Sequence, residues 1–207
     1  MRILLAPVIV FLAIGAVAAQ SNLTNEEYEI YGLVLTEFFR EGNRRNTDNP
    51  QEHFVIASRT MAIDPATVEK ERSSLYKSFN NRNKDQASLE RRFPVRFSYS
   101  IADEQEILGW AAQDEAEYEA EQERLSRDGK PLNGGPCGAE WDRFHSRFPK
   151  SFGYYRLSRI GFSRDHRRAY LEIEGKGSTW DETSSYWVRW TRRGWKTYKA
   201  AGGIGVC

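Results

Sequence analysis

Hydrophobic and polar positions follow two different periods along this chain, and the change of period separates a helical first part from a sheet-forming second part. Thr24 and Glu27 stand at capping-box spacing. Behind them Tyr28, Tyr31, Leu35 and Phe38 fall on one helical face, broadened by Val34 and Phe39. The pattern predicts a helix buried on one side, ended by Gly42 and the polar run 43–50. Residues 53–60, with Phe54, Val55 and Ile56 at their centre, read as a strand. Asp64-Pro65 then offers a cap and a first-turn proline to a helix over 66–79, with Val68, Leu75 and Phe79 inward. A short helix near 86–92 comes next, and then a strand in which Val95, Phe97 and Tyr99 alternate with Arg96, Ser98 and Ser100.

The stretch 103–123 holds nine acidic residues and no basic one. It predicts a long acidic helix over about 103–126, with an apolar side at Ile107, Leu108, Trp110 and Ala111 and solvated later turns. Asp128-Gly129 stops it, and 128–138 reads as a linker. Trp141, Phe144 and Phe148 are spaced for a short amphipathic helix ended by Pro149. From residue 153 the period becomes two, predicting strands at 154–163, 168–175, 184–191 and 195–200. Arg192-Arg193-Gly194 closes the last hairpin, where Gly194 can take the positive φ of a bulged turn. Together these elements predict an α+β fold, with N-terminal helices packed on a C-terminal antiparallel β-meander in a single domain over 20–207.

Residues 1–19 carry a different message. Arg2 precedes an unbroken apolar run from Ile3 to Ala19 that ends in small residues, the pattern of a secretory signal peptide. A retained anchor needs about 20 apolar residues, and Gln20-Ser21-Asn22 adds no basic flank to hold one. A periplasmic or secreted protein is expected, with no membrane contact after cleavage. In an oxidising compartment the two cysteines, Cys137 and Cys207, are expected to pair. That bond would close a loop of about 71 residues, worth about 4 kcal/mol in the chain-entropy account. A free Cys137 thiol with His145 nearby is the rival reading, and nothing local supports it.

Charge enters as a question of distribution. The total is nearly balanced, 30 Lys+Arg against 29 Asp+Glu, which argues against a dedicated polyanion binder. From Trp141 to the end, however, 14 basic residues face 6 acidic ones. A basic sheet following an acidic helix has two readings: the two complement each other, or the sheet exposes a binding platform. The platform would be Trp187, Arg189, Arg193 and Arg159, with aromatic faces for stacking and guanidinium groups for anions. Its partners would be an anionic envelope polymer, a polysaccharide or an acidic protein, and nucleic acid is not expected for an exported chain.

Reactive chemistry finds little to stand on. His53, His145 and His166 are isolated, with no His-x-His or HExxH pair for a metal. There is no Gly-x-Ser-x-Gly elbow and no phosphate loop; Gly175-Lys176-Gly177-Ser178 reads as a hairpin connection. Glu172, Glu174, Asp181 and Glu182 read as solvated carboxylates. No catalytic residue, metal ligand or cofactor is therefore predicted. The reading is a non-catalytic binding or accessory protein of the cell envelope; the alternative is a small secreted hydrolase with a His/carboxylate pocket between sheet and helices.

The order of the helix at 27–39, the strand at 55–60, the Trp141 to Pro149 segment, Leu157 to Phe162, Ala169-Tyr170-Leu171 and Tyr186-Trp187-Val188 to Trp195-Lys196 resembles a group of exported bacterial proteins of unknown function. That resemblance implies no activity. Helices followed by a meander ending in Gly194-Trp195-Lys196 are also similar to nuclear-transport-factor-like cone folds. This second resemblance implies a curved sheet wrapped around a pocket, and it leaves function open.

Overall fold

The computed structural model describes residues 23–48, 50–63, 73–131 and 141–206. The expected leader, the Asp64-Pro65 cap, most of the linker and both cysteines lie outside the described residues, and so does the expected Cys137–Cys207 bond. No helix among the described residues is long and apolar enough to cross a membrane.

Helix α1 (Asn25–Arg45) begins at the capping box, where Thr24 Oγ1 accepts from the Glu27 amide at 3.2 Å and Glu27 accepts from the Thr24 amide at 3.0 Å. Such a cap is worth about 0.5–2 kcal/mol. Glu27 is fully buried and also meets Arg82 at 2.6 Å, so its charge is paired rather than stranded. The helix runs three residues past Gly42. Asn43 then fixes the chain that follows, exchanging two hydrogen bonds of 2.9 Å with the backbone of Gln51.

Among the described residues the sheet has seven strands: β1 (His53–Ala57), β2 (Ser98–Ala102), β3 (Tyr154–Leu157), β4 (Gly161–Phe162), β5 (Arg168–Lys176), β6 (Trp180–Thr191) and β7 (Gly194–Val206). Their order is β2-β1-β3-β5-β6-β7, with β4 beside β5 beyond the end of β3. Strands β3 to β7 are the antiparallel meander that the period-two pattern predicts, and the class is α+β. The sheet is larger than that meander, because β1 pairs in parallel with both β2 and β3.

Four local expectations need correction. The strand expected over 154–163 is two strands, because the Arg159 amide and carbonyl bond to the Asn83 side chain instead of to a neighbouring strand. Residues 86–92 form no helix; Ala87 and Leu89 bond to Thr60 and Ser58, so the segment lies extended beside the chain leaving β1. The strand expected from Val95 begins only at Ser98. Finally, the strand expected over 195–200 is longer, since residues 201–206 continue β7 along β6 as far as the Trp180–Val206 pair. Gly194 adopts φ +93° at the last turn, as its place there requires.

Alternation along the strands divides the core in two. Phe54, Ile56, Tyr155, Leu157, Leu171, Ile173, Tyr186 and Val188 form an inner face covered by Tyr28, Tyr31, Val34, Leu35 and Phe38 of α1. On the outer face Val55, Ala57 and Tyr154 pack under α3 (Glu104–Arg127) and α4 (Asp142–Arg147) through Ile107 and Phe144. Helix α2 (Ser74–Arg82) covers Tyr170 with Leu75, Tyr76 and Phe79. Among the described residues no helix covers the far end of the outer face, on β5, β6 and β7.

Candidate functional site

That far end of the outer face collects basic side chains by register. Arg168 of β5 stands directly opposite Arg189 of β6, and Arg189 opposite Lys196 of β7. The three cations form one row across three strands, at the usual strand spacing of about 4.8 Å. Like charges directly opposite one another destabilise a sheet. The next row holds Tyr170, Trp187 and Lys199. A register shift between Trp187 and Val188 leaves Tyr198 as the extra residue of β7. Lys199 Nζ lies 4.2 Å above the Trp187 ring and the Arg189 guanidinium 5.8 Å from the Tyr198 ring centre. Arg189 and Lys199 therefore rest on aromatic rings, and the Arg168 charge acts on Asp165 in the β4–β5 turn. Among the described residues no ion pair reaches Arg168, Arg189, Arg193, Lys196 or Lys199.

Of the four platform residues predicted from sequence, Trp187 and Arg189 share this face. Arg193 is exposed in the β6–β7 turn, with its amide donating to Thr191 Oγ1. Arg159 lies elsewhere: its backbone is held by Asn83 and its charge acts on Tyr31 of α1. Trp187 is half-buried, with its indole N–H donated to Tyr76 Oη at 3.1 Å and its ring 5.0 Å from Tyr170. It braces the strip as much as it presents it. Arg168, Lys196, Lys199 and Tyr198 complete the strip, and strand register, which one sequence does not display, is what brings them together.

The acidic helix complements only part of the basic surface. Its Glu104 meets Arg156 at 3.0 Å, and Asp114 and Glu117 hold Arg143. Arg156 also pairs with Glu174 at 2.9 Å. Glu172 accepts from Tyr170 Oη, and burial, with the Glu174 charge beside it, pushes its carboxyl above the ordinary range. These outer carboxylates are thus engaged, not simply solvated. Their reach stops short of the Arg168–Arg189–Lys196 row.

The inner face opens into a cavity of about 640 Å³ between the second half of α1 and the ends of β1, β3, β6 and β7. One row of the sheet, Tyr155, Gly175, Glu182 and Ile204, runs beneath it. Phe54 and Tyr155 stack at 3.8 Å, Phe38 stands edge-on to Tyr155 at 5.4 Å, and Trp180 leans on Tyr155 at 6.0 Å. Tyr155 Oη donates to Gln51 Oε1 at 3.0 Å. Glu182 accepts from Ser184 Oγ at 3.2 Å and has Arg45 no closer than 3.7 Å. Burial raises its carboxyl, with the serine hydroxyl and the Arg45 charge acting against that rise.

The three histidines occupy three settings. His53 bridges Ser98 and Ser100 on β2, each at 2.9 Å. His166 sits in the β4–β5 turn at φ +52°, stacked on Phe162. His145 lines the inner cavity along with Glu182, and no hydrogen bond joins the two. Among the described residues no three histidines, cysteines or carboxylates gather as a metal site would require. Compared with known proteins, the chain matched no protein family, no curated protein and no solved structure.

Proposed function

We propose that this chain is an exported, non-catalytic binding protein of the cell envelope whose outer strip holds an anionic polymer. The observation that carries the reading is the Arg168–Arg189–Lys196 row. At strand spacing these three exposed cations repel one another, no ion pair reaches them among the described residues, and a polymer bearing regularly placed carboxylates or phosphates relieves that repulsion. The row spans about 10 Å, close to the Debye length of about 8 Å at physiological salt, so its charges act together on a polyanion. Tyr198, which is 44% exposed, adds an apolar face beside them. The run at 3–19 is the basis for placing the protein outside the cytoplasm.

The test is binding of the full chain to polygalacturonate and to polyphosphate, with dextran as the uncharged control, at low and physiological salt. Salt-sensitive binding to the polyanions is expected, weakened at least tenfold in the Arg189→Ser, Lys196→Ser double variant. Equal binding to dextran, or affinity untouched by the double substitution, would sink the reading. The hydrolase alternative has one observation in its favour, the shared cavity of His145 and Glu182. Turnover of chromogenic ester or glycoside substrates that disappears in His145→Ala would move the assignment there.

A further inference from the structure

The inner cavity is a second site, built differently from the strip and independent of it. We propose that it binds a small organic cation, an ammonium or quaternary ammonium group on an apolar body, with Glu182 as counter-ion. The walls are the first reason. Trp180 lines it above a base of Phe38, Phe54 and Tyr155 and is the least buried of the four, and such a ring offers its electron-rich face to a cation. Backbone architecture is the second. A Cβ on Gly175 would come within 2.8 Å of the Trp180 ring and 2.9 Å of Tyr155, and one on Gly177 within 2.2 Å of the Trp180 indole nitrogen. Two glycines thus make room for the indole and hold it as a wall over the sheet.

The third reason is the charge. The Glu182 side chain is only 16% exposed, and among the described residues no cation is hydrogen-bonded to it: Arg45 approaches to 3.7 Å and is shared with Glu41 at 3.6 Å. A carboxylate drawn largely out of water without such a partner is under-compensated, and an ammonium group entering the aromatic walls supplies the missing charge. An anionic ligand would have to settle against the same carboxylate. The Arg45 guanidinium, 55% exposed, already reaches solvent at the rim.

Benzyltrimethylammonium titrated into the full chain, followed by calorimetry and tryptophan fluorescence, tests the inference, with benzyl alcohol and phenylacetate as neutral and anionic counterparts. Saturable binding of the cation is expected, with the alcohol and the acid at least tenfold weaker. Glu182→Gln, which keeps the shape and removes the charge, should weaken the cation tenfold or more. Trp180→Leu, which keeps Glu182 and removes an aromatic wall, should weaken it several-fold and serves as the second probe if Glu182→Gln does not fold. The Arg189→Ser, Lys196→Ser protein should bind the cation like the wild type, so failure here and failure of the outer strip are read separately. No saturation, equal affinity in Glu182→Gln, or tighter binding of phenylacetate would overturn the site.

Discussion

On the inner face Phe54, Tyr155 and Phe38 pack ring against ring, whereas on the outer face Trp187 and Tyr198 carry Lys199 and Arg189 on their rings. The same residue types thus do two jobs, and burial decides which. Inside, Phe54 is fully buried and its area holds the sheet against α1. Outside, the rings are partly open and spread the cost of crowded positive charge. One face is organised for stability around a mostly buried Glu182 that Arg45 pairs only at 3.7 Å, and the other carries the mutual repulsion of the Arg168–Arg189–Lys196 row.

The largest expected effect breaks the inner side of this contrast. Phe54→Ala should lose about 3–5 kcal/mol of unfolding free energy in urea, as large-to-small changes of a buried ring do; Trp187→Ala, at a half-buried site, should lose less. If the two cost the same, the division of labour is wrong. A smaller effect sharpens the outer side: Arg189→Glu places an acid between Arg168 and Lys196 and should gain about 0.2–1 kcal/mol while ending polyanion binding. A melt showing lower stability for that variant would mean the cation row is not strained.

The smallest expected effect is a drift with pH at the start of β1. Burial, and then the Arg91 charge, hold the His53 imidazole below its ordinary value. The unfolded chain therefore takes up the proton first, so this contribution to stability is intact above about pH 6.5 and is lost as pH falls through the lower folded value. His53→Gln should flatten the slope in that range. An unchanged slope would assign the acid sensitivity to another group.

Local chemistry was legible in the sequence where it is self-contained. The Thr24–Glu27 cap, the buried face of α1, the acidic helix and the period-two strands after residue 153 depend on neighbours within a few positions. Long-range pairing was not legible. Residues 86–92 have a helical pattern, but hydrogen bonds to Ser58 and Thr60 hold them extended. The site divides the same way: Trp187 and Arg189 stand out two residues apart, whereas Arg168, Lys196 and Lys199 join them only through register. Glu182 read as solvated because nothing nearby in sequence announces that α1 will lie over it.

The central position of β1 also bears on how the chain assembles. Val55 is bonded in register to Tyr154, about a hundred residues later, whereas β5, β6 and β7 join neighbours through short turns. Contacts between distant parts of a chain are slow to form because a long loop must close first. The C-terminal hairpins are thus the natural early structure, and docking of β1 onto β3 is the late step that brings Phe54 onto Tyr155 and completes the inner cavity. During synthesis the segment with Phe54, Val55 and Ile56 emerges long before its β3 partner, an apolar strand that waits unpaired on that side until the rest of the protein has been made.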